Sequence, residues 1–196
     1  MIFLNLLLAH LLADFVFQPH KLVAWKFRSW MGTAAHAFVH FVVNLLLFYS
    51  YLDDVRVWGV LFCVALFHFA IDSTKIEEER HGRHFLTYFT ADQMVHVAVL
   101  LGGAWVFSSF HQPIPIALWG NPLGEMFLVL GIIILVVLTY VVEIVQFQIQ
   151  RAQKPSLVFQ PHYQYMLQRA VIFSVIYVLI MVFGVYQAAA FGLFFR

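Results

Sequence analysis

The stretch MFLVLGIIILVVLTYVV, residues 126–142, lies between two glutamates and contains no charged side chain. A bilayer core about 30 Å thick is crossed by roughly 20 apolar helical residues, or about 17 at the short end. Such a run must be buried in a large protein core or placed in lipid, and composition decides between the two. Hydrophobic residues make up 63% of the 196 residues and charged residues 11%, against about 45–50% and about 25% in soluble domains. One core of this size cannot hide so many apolar side chains. The mean hydropathy of +0.86 agrees. The chain reads as an all-α polytopic membrane protein. Its one cysteine, Cys63, cannot close an internal disulfide. A net charge of +1, with basic residues scattered among loops, carries no nucleic-acid signature.

Six segments are long and apolar enough to span: 1–18, 32–51, 56–74, 90–110, 124–148 and 168–190. They predict one bundle of about six transmembrane helices, a single domain over 1–196. The first segment has no basic residue before Lys21, so it is expected to be a retained helix rather than a secretory signal. With six helices, alternate loops share a side. Lys21, Lys26, Arg28, Lys75, Arg80, Arg83, Arg151, Lys154 and Arg169 fall on one side, and Arg56 and Arg196 on the other. The positive-inside bias then makes loops 19–31, 75–89 and 149–167 cytoplasmic, with both termini facing outward. Loop 19–31 (PHKLVAWKFRSWM) suits the headgroup level, and the highly charged loop 75–89 is expected to be solvated. Loop 111–123 (HQPIPIALWGNPL) is read as an outer interfacial loop. Loop 149–167, with Pro155 and Pro161, is expected to lie along the inner surface.

Ionisable residues inside a bilayer are costly and mark function by default. Helix one contains His10 and Asp14, and helix two His36 and His40. Helix three contains His68 and Asp72, and helix four Asp92 and His96. Each pair is spaced four apart and so lies on one helix face. Random scatter of the chain's histidines and aspartates predicts about one such pair; four occur, one per successive helix. The pairs lie late in helices one and three and early in helices two and four. Because alternate helices run oppositely, all four belong to one leaflet, in a slab a turn or two thick. Gln18 and Asn44 extend two of the faces.

Imidazole and carboxylate together suit zinc, iron or manganese, and Cys63 is the only available thiol. Helix bundles build such centres from inward-facing ligands three or four residues apart. The eight residues can serve one ion and its surrounding hydrogen bonds, or two ions. A single His–Asp pair in a membrane helix is better explained as a hydrogen-bonding helix contact. Four pairs aimed at one level describe a site. Asp14, Asp72 and Asp92 are the candidate catalytic carboxylates, and Gln18, Lys21, Lys75 and Gln93 the candidate substrate-binding groups. Lys26, Arg28 and Arg83 stand near the mouth, where ordinary positive-inside charge also accounts for each.

Other polar groups carry less. Glu143, Gln146 and Gln150 form a stripe expected to meet Arg169 in a structural salt bridge. His81 and His84 read as solvated, and His20, His111 and His162 as interfacial. Ser73 and Thr74 lack a nucleophile's partners, and no glycine-rich phosphate loop is present.

The strings HLLADFVFQPHK, HAFVHF, HFAIDSTK and ADQMVH resemble, in order, the signature of a bacterial integral-membrane family catalogued as domain of unknown function 3307. The resemblance covers residues 9–96. It implies a bacterial inner-membrane location and emphasis on the same polar residues, but no particular activity. A looser similarity links the chain to inner-membrane metal-dependent hydrolases, which also place His and Asp on membrane helices.

Three functions follow in order of preference. The first is a membrane-embedded metal-dependent hydrolase acting on a lipid phosphate or similar amphiphile at the cytoplasmic leaflet. The alternative is a transition-metal transporter using the His/Asp pairs, although no ligands continue into the outer half. The third is a di-iron oxygenase on acyl chains, although clustered His–His pairs are absent. The expected partners are the membrane and an amphiphilic substrate, with no nucleic acid; the oligomeric state is left open. Helices one to four are expected to bear the site, with five and six outside them.

Overall fold

The computed structural model describes residues 1–81, 85–110, 122–154 and 156–190. Helix α1 (Ile2–Leu11) runs on through a wide π turn, Leu12–Val16, in which the Phe17 N–H donates to the Leu12 carbonyl five residues back at 2.8 Å. Pro19, lacking an N–H and holding an extended ψ of 155°, stops that helix and starts another. This is α2 (His20–Arg28), bent by 90° from α1. Ser29 then accepts a hydrogen bond from the Met31 N–H at 3.2 Å and caps α3 (Trp30–Leu47). A short 3-10 turn, Tyr49–Tyr51, leads into α4 (Val55–His81) and α5 (Phe85–Ser108). The remaining elements are α6 (Pro122–Val136), a second π turn (Val137–Val141), α7 (Val142–Gln153) and α8 (Tyr163–Ala190). There is no strand among the described residues.

Five stretches are long and apolar enough to cross a membrane, and six when the bent pair of α1 and α2 is counted as one broken span. The polytopic all-α reading holds, but two of the expected loops do not. Segment 19–31 is mostly the helix α2. Segment 75–89 is mostly the end of α4 and the start of α5; Glu77 and Glu78 are exposed as expected, while two of its charges find partners across helices. Lys75 reaches Asp92 on α5, and Glu79 reaches Arg151 on α7. Arg83, His84, His111, Pro155, Arg196 and the loop 111–121 lie outside the described residues, as do the side chains of Arg80 and His81.

The bundle has two storeys. Leu6, Phe48, Tyr51, Val57, Leu61, Leu100 and Phe107 pack together where α1 and α4 begin and where α3 and α5 end. This storey's buried cluster is hydrophobic, with Asn44 of α3 buried between it and the other storey. The other storey, where α1 ends and α3 begins, buries the histidines and aspartates. Helix α1 is central, touching α3, α5 and α6. Helix α8 lies outermost, its Val171, Ile172, Leu179 and Val182 more than half exposed, as suits a face turned to lipid. It is fixed by Tyr177, whose hydroxyl donates to the Phe127 carbonyl beside Gly131.

Helix α2 rides on the first turn of α3 at Gly32. A Cβ there would stand 2.4 Å from the Trp25 carbonyl carbon and 2.5 Å from the Lys26 nitrogen, both backbone atoms. No rotamer relieves that overlap. Gly32→Ala is therefore expected to push α2 off α3 and destabilise the protein by about 1–3 kcal/mol. Gly59, with nothing within 4 Å of the added methyl, is the control; Gly59→Ala should be neutral or stabilising by up to about 1 kcal/mol. Thermal melts of both variants in the same detergent test the pair.

Candidate metal centre

All eight residues singled out by spacing meet in one cluster. Asp14 is at its middle, in the π turn that ends α1. Its Oδ1 accepts from His36 Nε2 at 2.9 Å and from His40 Nε2 at 2.8 Å, both on α3. Its Oδ2 lies 3.5 Å from His10 Nε2, one helical turn back. His68 of α4 stacks on His40 with ring centres 3.5 Å apart, and its Nε2 stands 3.6 Å from Asp14 and 3.4 Å from Asp72. His96 of α5 closes the group, 4.5 Å from the His68 ring and 4.9 Å from the His10 ring. Both members of each pair face inward because a spacing of four returns a side chain to the same face. The four helices carry their pairs to a common level because they alternate in direction.

Two buried carboxylates, Asp72 and Asp92, and the part-buried Asp14 need counter-charge. Lys26, reaching in from α2, pairs with Asp72, and Lys75 donates to Asp92 Oδ2 at 2.7 Å. Gln93 Nε2 donates to the same oxygen at 3.0 Å. The amide of Gln18 lies 2.8 Å from His36 Nε2. Of the four expected substrate-binding groups, Gln18, Lys75 and Gln93 thus border the cluster. Lys21 does not: it is exposed and lines no part of the cavity. On a helix Lys21 and Arg28, seven apart, share a face, whereas Lys26 is turned well over 90° from both. The inward lysine of α2 is Lys26.

Several buried nitrogens remain unsatisfied. His96 Nδ1 donates to the Asp92 backbone carbonyl at 2.9 Å, which fixes the tautomer and leaves a bare lone pair on Nε2. That Nε2, His10 Nε2, both ring nitrogens of His68 and Asp92 Oδ1 have no hydrogen-bond partner among the described residues. Each such atom costs about 1–3 kcal/mol if nothing binds it, and native proteins keep few of them. Three groups of these side chains each bring one ligand atom per residue within 4.8 Å of the others: His10, Asp14, His40 and His68; His36, His68 and Asp72; and Asp72, Asp92 and His96. A histidine that gives one N–H to a carbonyl and keeps the other nitrogen bare is arranged as metal-binding histidines are. The donor set fits a divalent transition ion.

A cavity of about 400 Å³ adjoins the cluster, with Asp14 and Asp72 in its wall. Lys26, Lys75 and Arg151 supply positive charge to it, and Phe15, Phe89, Phe147 and Phe159 give it apolar sides. Helices five and six are therefore not simply outside the site. Tyr140, Glu143, Phe147 and Arg151 of the fifth span and Tyr163 and Met166 of the sixth form one wall. His20 and Pro161 line it too, which no spacing in the sequence signals. Glu143 is buried and bound by Arg169, and His162 Nδ1 lies 3.1 Å from its Oε2. This tie holds the start of α8 against α7.

The lysine pairings carry a direct consequence for stability. In protein stripped of metal by a chelator, Lys26→Met leaves Asp72 buried without its cation, a loss of about 3–5 kcal/mol for a broken buried pair. The double variant Lys26→Met/Asp72→Asn removes both charges and is expected to regain most of that loss. Equal melting temperatures for the single and double variants would show that the pair carries no such coupling.

Among curated proteins and among solved structures nothing matches the chain, and the looser likeness to metal-dependent membrane hydrolases finds no support in these comparisons. A family model does match, over residues 2–115, and that span takes in α1 to α5 with all eight histidines and aspartates. The chain belongs to the family described as Protein of unknown function (DUF3307).

Proposed function

We propose that the protein is a membrane-embedded, metal-dependent hydrolase acting on a lipid phosphate or similar amphiphile. The observation that carries this reading is the set of bare, buried ring nitrogens on His10, His68 and His96 among three carboxylates. A structural hydrogen-bond network would leave no reason for them. Zinc, iron or manganese suits the donors, and such an ion, when bound, polarises a phosphoryl oxygen and supplies hydroxide near neutral pH.

The chain's own residues divide the remaining work. Asp14, Asp72 and Asp92 hold charge at the cluster, and whichever is released from its partner can take a proton from water. Lys26 and Lys75, already at the cavity, offer ammonium groups to an anionic headgroup. The aromatic walls receive the apolar part of the substrate and exclude water. The apolar storey beneath the cluster supports a site entered from one end rather than a path across the membrane, and so favours an enzyme over a transporter. By the positive-inside rule the basic end is cytoplasmic, which puts the site in the cytoplasmic leaflet of a bacterial inner membrane.

Protein purified in detergent is expected to contain zinc, iron or manganese by elemental analysis, and to release phosphate from lipid-phosphate vesicles until a chelator is added. Asp14→Asn keeps the size of the side chain and removes its charge. It is expected to lower metal affinity by about 10–100-fold while leaving the melting temperature of the metal-free protein nearly unchanged, since interhelical hydrogen bonds average about 0.6 kcal/mol. No uptake of any of the three metals by the wild type, or full occupancy and activity in Asp14→Asn, would overturn the reading.

A further inference from the structure

Eight candidate ligand residues are too many for one ion. A tetrahedral zinc site takes about four, and even octahedral ions take about six. We propose that the cluster holds two divalent ions at separate positions, an inner one on His10, Asp14, His40 and His68 and an outer one on Asp72, Asp92 and His96. This rests on the metal reading above and adds a stoichiometry and a division of labour to it.

The two sets share no residue, and each brings its ligand atoms within 4.8 Å of one another. Each also has its own unpartnered buried atoms. In the inner set these are His10 Nε2 and both nitrogens of His68; in the outer set they include His96 Nε2 and Asp92 Oδ1. Asp92 is held by its other oxygen, which accepts from Lys75 and Gln93, so the bare oxygen faces inward beside His96 at 3.4 Å from its Nδ1. His36 and His68, within reach of Asp72, join the two sets.

Charge separates the positions. Asp14 is surrounded by imidazoles alone, whereas Asp72 and Asp92 each carry a lysine. A cation entering the outer set competes with two ammonium groups, while one entering the inner set meets none. The inner ion is therefore the tighter, and the outer ion the one that exchanges. With both in place, two ions and two lysines outweigh three carboxylates, and the loaded centre is cationic. That matches a phosphate-bearing occupant of the cavity.

The test is manganese binding by the full-length protein in detergent after chelator treatment, measured by equilibrium dialysis with elemental analysis and by electron paramagnetic resonance. The wild type is expected to take up two ions per chain, the second at higher concentration, with a spectrum broadened at saturation by the neighbouring ion. His96→Gln should retain one tightly bound ion with an unbroadened spectrum. His10→Gln should retain one weakly bound ion. Saturation of the wild type at one ion with an unbroadened spectrum overturns the two-ion proposal and leaves the metal reading standing; no binding at all overturns both. If either variant aggregates, the wild-type stoichiometry and spectrum still decide.

Discussion

Three carboxylates held at one level inside an apolar bundle, two buried and one part-buried, impose the constraint to which the rest of the structure answers. An uncompensated charge at such a depth costs several kcal/mol at least, so each carboxylate draws specific partners around it. Asp14 takes the imidazoles of α1, α3 and α4. Asp92 takes Lys75 from α4, and Asp72 takes Lys26 from α2. The last demand explains the oddest feature of the fold. A helix lying at right angles to α1 brings a lysine to Asp72 on α4, and Pro19 and Gly32 make that possible, one by ending α1 and the other by letting two backbones touch.

The two storeys divide the work. The apolar one, from Leu6 to Phe107, packs hydrophobic side chains from α1, α3, α4 and α5 together and gives the four helices a fixed register. The other holds the imidazoles at distances where they are neither all hydrogen-bonded nor free to reach solvent. Rigid packing below keeps costly, unsatisfied groups in place above, a cost a folded protein bears at a functional site. The two π turns belong to this half. One contains Asp14, the other contains the buried Thr139, and they touch each other where α1 meets the fifth span. Each widens a helix locally and re-aims the side chains that follow.

How much of this was legible in the sequence differed by kind of information. The eight site residues and their common level followed from a spacing of four and the alternation of helix direction, both local rules. The six apolar stretches were legible for the same reason. Lys26 was seen only as one basic residue among several near the mouth, because its role depends on the angle between α2 and α3, and nothing local fixes that angle. The charged run after Asp72 suggested a solvated loop, since its partners, Asp92 and Arg151, are distant in the chain. Glu143 and Arg169 were paired correctly from the sequence, whereas His162, which completes that tie, carried no spacing signal.

The division between matched and unmatched chain has a physical counterpart. Among the described residues, the three groups that could hold an ion all lie between α1 and α5, within residues 2–115. The cavity that an occupant would fill is different. One of its walls consists of Tyr140, Phe147 and Arg151 from the fifth span, Phe159, and Tyr163 and Met166 at the start of α8, all beyond the family match. Ligand sets tolerate little change, because a metal's charge and geometry dictate donor type and distance. A wall of aromatic and aliphatic side chains can be reshaped without disturbing the centre behind it. The Glu143–Arg169–His162 tie makes that wall a single unit by fixing α8 to α7. On the proposed reading, the ligands therefore come from the first five helices, and the last two spans contribute one wall of a cavity whose other walls belong to the same five helices.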